Sequence, residues 1–167
     1  ALEGSHLSIR EGPDGLELYR RITGVADRSI RTARDYLETN APEMVGIQLR
    51  GVESNLAERE YDLAAADLVR AFDALVVSGF TDGLEELIET GGIRAGDDFE
   101  YNDANVLYVM YGYCSMLGGD PESKGFETSR LQAEFASVLA QEALYFLLRT
   151  LEDAAEEGAE LAHWEYP

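Results

Sequence analysis

The most apolar segment of the chain reads ANVLYVMYGYCSML and spans residues 104–117. None of its residues is charged, and apolar side chains occur around the whole circumference of a helix drawn through it. A helix that is apolar on every side belongs in the interior of a protein. The Val and Tyr content would also suit a buried β-strand, which stays open as the alternative.

Turn signals bound this segment on both sides. Asp103 precedes it as the predicted N-cap, and Gly118-Gly119 follows it as the predicted end of the helix. A second stretch that is apolar all round lies in the middle of a helix predicted over residues 129–157. The helices around 104–117 and 129–157 are therefore expected to be the most buried in the chain.

Apolar residues recur at helical spacing along most of the remaining sequence, and alternating strand patterns are scarce. Further helices are predicted over residues 14–39, 42–58, 62–77 and 81–90, with Asp62 as the N-cap of the third and Thr81 opening the fourth. The expected fold is all-α, a compact bundle of five or six helices. Residues 1–13 are expected to be a disordered or tag-like leader, and residues 14–167 a single helical domain.

The charge of the chain disfavours several classes of partner. The chain has 33 acidic residues against 13 basic ones, a formal net charge of −20, and Lys124 is its only lysine. Hydrophobic residues still make up 46%, which is too many for a disordered acidic tail. Direct binding of nucleic acid or of an anionic membrane is disfavoured, because both depend on clustered Lys and Arg side chains.

The acid-rich, lysine-poor composition resembles that of proteins from halophilic archaea with molar salt in the cytoplasm. At molar salt the screening length falls to about 3 Å, so the self-repulsion of the chain nearly vanishes. A GC-biased bacterial source rich in arginine is the alternative, as is an acidic protein that imitates nucleic acid. The single cysteine, Cys114, excludes an internal disulfide, and no signal peptide is apparent, so a cytoplasmic location is expected.

The first predicted helix is rich in charged residues that balance one another, with five arginines and five acids between Asp14 and Glu38. On a helical wheel the arginines occupy the side opposite the main apolar positions. One interpretation is a solvated face laced with salt bridges. The other is a docking face for an acidic partner, including a second subunit. The candidate interaction residues are Arg20, Arg21, Arg28, Arg31 and Arg34.

The closing residues, HWEYP over 163–167, hold the only tryptophan of the chain. Such an aromatic tail either folds back onto its own core or anchors in the groove of a partner, where Trp and Tyr are favoured. Trp164 and Tyr166 are therefore further interaction candidates.

The sequence predicts no catalytic, cofactor or metal site. Asp98, Glu100 and Asn102 match three ligand positions of a calcium loop, but the central glycine and the closing glutamate of such loops are missing. A cation site in residues 97–103 stays open as a minor alternative. The two histidines lie near the chain ends, which argues against a Ser-His-Asp triad and against a catalytic pairing with Cys114.

Two helices that are apolar on all sides are demanding for a chain of 167 residues. Either the other helices cover both, or a second subunit covers part of one, and a homodimer is the expectation. The leading hypothesis is a non-enzymatic helical protein of a salt-adapted cytoplasm that acts through protein–protein contacts or self-assembly. The alternatives are an acidic inhibitor or immunity-type protein that docks on a basic nucleic-acid-binding partner and, third, a metal- or carboxylate-dependent enzyme.

Overall fold

The computed structural model describes residues 31–76, 79–90, 92–93 and 102–160. These residues form seven helices and no β-strand, which confirms the all-α prediction and shows that the strand alternative for residues 104–117 is wrong. The described part of the first helix, α1, covers residues 31–40. The others are α2 (Glu43–Glu58), α3 (Tyr61–Asp73), α4 (Phe80–Glu89), α5 (Asp103–Leu117), α6 (Pro121–Lys124) and α7 (Arg130–Glu156).

Most helix bounds agree with the sequence pattern. α7 begins with a capping box, in which the Ser129 hydroxyl accepts from the Gln132 backbone at 3.2 Å and the Gln132 side chain accepts from the Ser129 backbone at 2.9 Å. α3 is shorter than predicted and ends at Asp73. The short α6 was not predicted; it lies between the helices predicted over 104–117 and 129–157, with Asp120 as its N-cap and Gly125 at a φ of 77° after it.

The sequence predicts where the helices start better than it predicts which residues cap them. Asp62 is the second residue of α3 rather than its N-cap, and its carboxylate accepts a hydrogen bond from Lys124 instead. Thr81 is the second residue of α4. Asp103 is the first residue of α5; the cap is Asn102, whose side chain accepts from the third backbone amide of the helix at 3.0 Å. An aspartate in the first turn favours the helix start through the helix dipole even when it does not cap it.

α3 lies at the centre of the described helices and packs against α2, α5 and α7. An aromatic cluster connects α4 to this core. Phe72 of α3 meets Phe80 of α4 edge to face at 5.1 Å, and Phe80 stacks on Tyr111 of α5 with ring centroids 4.5 Å apart. The Tyr111 hydroxyl donates to the Asp73 carboxylate at 3.1 Å, so the polar end of this ring is satisfied at the edge of the core.

α2 and α3 approach closely at Gly51. A Cβ on Gly51 would lie 2.6 Å from Oδ2 of the buried Asp67. Asn55 Nδ2 donates to that oxygen at 2.8 Å, and Arg70 Nη1 donates to Oδ1 at 2.5 Å. A buried carboxylate is stable only with such partners, so this small polar group belongs to the packing of α2 on α3.

The expectation that α5 is buried around its whole circumference holds on one side only within this chain. Leu107, Cys114 and Leu117 are inaccessible on that side. The opposite side of α5 is exposed, and α7 likewise buries one side and exposes the other.

Candidate interaction surface

The outer side of α5 is apolar and exposed to solvent. Val106, Val109 and Met116 lie together on this side at the 100° per residue of an α-helix. Val109 is 64% exposed, and the other two are each nearly half exposed. Large apolar side chains at such positions are normally found singly on a surface rather than in a row.

α7 presents a second exposed apolar side beside it. Leu131 is 77% exposed, and Phe135 is also more than half exposed. The ring of Tyr113 on α5 meets the ring of Phe135 edge to face, with centroids 6.1 Å apart, and so joins the two sides. We define the α5–α7 surface by eight residues: Val106, Val109, Tyr113, Met116, Leu131, Phe135, Val138 and Phe146.

This surface lies on α5 and on the part of α7 before its acidic C-terminal end, two stretches with little net charge. α5 carries one charged residue, Asp103 in its first turn. From Arg130 to Arg149, α7 carries two arginines and two glutamates, and Arg130 Nε pairs with Glu134 Oε1 at 2.6 Å. The two stretches together hold a net charge of −1, whereas the chain as a whole holds −20.

The only lysine of the chain fixes the connection between α5 and α7. Lys124 Nζ donates to the Asp62 carboxylate, to the backbone carbonyl of Leu117 at the end of α5, and to Thr128 Oγ1 at 2.8 Å. The Lys124 side chain is 9% exposed, and Nζ lies 4.9 Å from the centroid of the Phe126 ring. The three N–H groups of the ammonium thus all have acceptors, one of which is a carbonyl that the end of a helix leaves unsatisfied.

The surroundings of Asp62 favour its ionised form. Partial burial acts to raise the pKa of Asp62, but hydrogen bonds from the Lys124 side chain and from Thr128 act to lower it. The hydrogen bonds outweigh the burial, so the pKa of Asp62 lies below its ordinary value.

Gly118 allows the end of α5 to approach the backbone of α3. A Cβ at this position would lie 2.6 Å from the backbone nitrogen of Ala66 and 2.8 Å from its Cα. The backbone of Gly118 itself is right-handed, with a φ of −79°, so the glycine is needed for the contact and not for the turn.

A polar cluster links α1 to the C-terminal half of α7. The Tyr36 hydroxyl donates to the Glu152 carboxylate and accepts from Arg149 Nη1 at 3.1 Å. The hydrogen bond to Glu152, together with burial, raises the pKa of Tyr36. An open cavity of about 550 Å³ adjoins the cluster, and Asp153 and Glu156 also line it. These polar groups pair with one another, so the cluster anchors α1 on α7.

Two of the arginines proposed as interaction residues lie within the described part of the chain. Arg31 is exposed on α1. The Arg34 side chain is 11% exposed; it bonds Glu38 Oε1 at 2.8 Å and Glu53 Oε2 of α2 at 3.4 Å, which joins α1 to α2. The other candidates lie outside the described residues: Arg20, Arg21, Arg28, Trp164 and Tyr166.

Sequence reasoning missed the role of Lys124, which it considered only as a lone basic residue. The feature of the sequence that could have pointed to this role is that Lys124 is the only lysine, since the other twelve basic residues are arginines. Its partners could not be found from spacing, because Asp62 precedes it by 62 residues.

Cys114 is buried as predicted, and burial raises the pKa of its thiol to about 12. Among the described residues, no group of three or more His, Cys, Asp or Glu side chains could hold a metal ion. Of the loop 97–103, only Asn102 and Asp103 are described, and Asn102 caps α5. The calcium-like pattern in the rest of that loop stays a prediction.

The chain matches no protein-family model, and neither a curated protein nor a solved structure is similar to it. In the part of the chain that the structure describes, no helix is long and apolar enough to cross a membrane.

Proposed function

We propose that this chain is a non-enzymatic helical protein of a salt-rich cytoplasm that acts through protein–protein contacts or self-assembly, with the α5–α7 surface as its contact site. The observation that carries the proposal is the exposed apolar surface that continues from α5 to α7 across the Tyr113–Phe135 contact. Exposed apolar patches larger than a few hundred Å² on a folded protein mark contact sites.

The distribution of charge supports a salt-rich environment. Exposed acids occur on α1, α2, α4, α5, α6 and α7. The only lysine is nearly buried and is used in a structural contact. At molar salt the acids no longer repel one another over the distances between helices, while apolar contacts persist.

The two alternatives have less support. An inhibitor that imitates nucleic acid would concentrate its acids on one face, and the exposed acids of the described helices are instead distributed over six of them. An enzyme that uses carboxylates would need acids free for chemistry. Asp62, Asp67 and Glu152 are each engaged in hydrogen bonds that join helices or fix their packing.

Site-directed photo-cross-linking tests the proposed contact site. A Val109→Cys variant carrying a benzophenone maleimide places the probe on the α5–α7 surface, and the buried Cys114, whose thiol pKa is raised to about 12, does not compete for the label. Ile47→Cys on the exposed side of α2 is the matched control.

In cytoplasmic extract of the source organism at native salt, irradiation is expected to cross-link the residue-109 probe to protein that mass spectrometry identifies. The residue-47 probe is expected to give little product. No product from residue 109, or equal product from both positions, would contradict the proposal.

A further inference from the structure

We infer that the occupant of the α5–α7 surface is a second copy of this chain, related to the first by a twofold axis. The inference rests on the proposed function and names the partner. In a twofold dimer the same surface patch of both subunits forms the interface, so one apolar surface per chain is sufficient.

The size of the surface fits such an interface. Seven of its eight side chains are exposed, all except the partly buried Tyr113. At roughly 100 Å² each, about half of what a fully exposed aromatic side chain presents, they make on the order of 700 Å² together. Stable complexes bury about 800 Å² on each partner. Phe135, Phe146, Met116 and Tyr113 also belong to the residue types that are enriched in interface cores.

The charge of the chain selects a second copy over other occupants. A basic protein would be attracted to the acidic parts of the chain rather than to α5 and residues 130–149 of α7, which together hold a net charge of −1, and an anionic membrane would be repelled by the chain as a whole. Two copies that each carry −20 can approach without placing acids against acids only where both are nearly neutral and apolar. The α5–α7 surface meets both conditions.

Gly112 provides an independent sign of a close neighbour. It lies in the middle of α5 and is exposed, at a place where glycine weakens a helix relative to alanine. Gly118 is explained by its contact with Ala66, but a Cβ built on Gly112 would meet no atom within 4 Å other than those of its chain neighbours and of the adjacent backbone of its own helix. Its missing side chain is explained if a helix of the second copy packs against the backbone of α5 between Val109 and Met116.

Sedimentation equilibrium of the purified full chain in molar KCl tests the inference, with three variants. Val109→Glu places a charge in the interface, and Gly112→Leu keeps the surface apolar but blocks the close approach. Ile47→Glu makes a comparable change on the exposed side of α2. Residues 109 and 112 are exposed in the single chain, so neither change disturbs its core, and the melting temperature at high dilution checks that each variant is folded.

The wild type is expected to be a dimer of 18.4-kDa chains that dissociates on dilution. Val109→Glu and Gly112→Leu are expected to raise the dimer dissociation constant by at least about tenfold, and Ile47→Glu to leave it unchanged. A monomer at every concentration overturns the inference, as does a dimer that persists in both surface variants. The wild type could also be monomeric while the residue-109 probe cross-links to a different protein. That result would overturn the inference that the partner is a second copy, but it would support the α5–α7 surface as a contact site.

Discussion

Lys124 donates a hydrogen bond to the carboxylate of Asp62, which lies 62 residues earlier in the chain, at the start of α3. The same ammonium bonds the Leu117 carbonyl and Thr128 Oγ1, so one side chain holds α3, the end of α5 and the approach to α7 together. A compact ammonium with three rotatable donors can direct them out of one plane to three separate acceptors, whereas the five donors of an arginine are held in the plane of the guanidinium. This geometry suits a lysine better than any of the twelve arginines of the chain.

Replacing Lys124 by Met should lower the free energy of unfolding by about 1–3 kcal/mol, because three acceptors lose the hydrogen bond from the ammonium and Asp62 is left partly buried without a counter-charge. Urea unfolding in molar KCl measures the loss. Arg130→Met is the matched control, since the Arg130–Glu134 pair is exposed and should contribute little. Equal stability of Lys124→Met and the wild type would contradict the role given to Lys124.

The Asp62 carboxylate should make the stability of the fold depend on pH in a defined direction. Its pKa is lower in the folded chain than the ordinary value of 3.8, so the folded state favours the ionised form. The stabilisation is therefore fully present above pH 3.8 and is lost as the pH falls through the folded-state pKa.

Comparing the wild type with Asp62→Asn by urea unfolding between neutral pH and acid isolates this effect. The wild type should be the more stable protein at neutral pH, and the difference should shrink as the pH falls below 3.8. A difference that is constant over this range would show that Asp62 is not stabilised in its ionised form.

Two glycines in and after α5 should respond to alanine with opposite signs. Gly118→Ala should destabilise the chain by about 2–3 kcal/mol, because the added Cβ would lie 2.6 Å from the Ala66 backbone. Gly112→Ala should stabilise the single chain by about 0.5–1 kcal/mol, because the position is helical and the Cβ has open space. Thermal unfolding at high dilution, where monomers are compared, measures both changes in stability. If both substitutions changed the stability in the same direction, the open space at Gly112 or the close contact at Gly118 would be contradicted.

The sequence pattern predicted the all-α class and most helix bounds because each helix carries apolar residues at the helical period, with caps or glycines at its ends. It placed α5 wholly in the interior because composition cannot tell a side buried in its own chain from a side left for a partner. Val109 and Leu107 look alike in the sequence, yet only Leu107 is buried.

The polar contacts of the site could not be derived from the sequence. Asp62 was expected to act locally as a cap, and it is bound by Lys124 through the tertiary fold. For Arg34 the sequence leaves open a solvated face of salt bridges or a docking face; it pairs with Glu38, as the first interpretation predicts, and it also joins α1 to α2 through Glu53. In both cases long-range packing decides which of several acids or bases a side chain meets.

The excess of acids should make stability depend strongly on salt. The melting temperature is expected to climb by tens of degrees between dilute buffer and molar KCl, because screening removes the repulsion within a chain of net charge −20. Differential scanning calorimetry across a KCl series measures this increase in the melting temperature. A melting temperature that is the same in dilute buffer would contradict salt adaptation and would favour the acidic inhibitor.

Oxidation of two methionines tests the α5–α7 contact within one unmodified protein. Met116 on this surface is 46% exposed in the single chain, and Met44 on α2 is 50% exposed, so hydrogen peroxide should attack them at similar rates in a monomer. In molar KCl at high protein concentration, peptide mass spectrometry should find Met116 protected severalfold relative to Met44, with the protection disappearing on dilution. Equal oxidation of Met116 and Met44 at the highest concentration would contradict a contact at the α5–α7 surface.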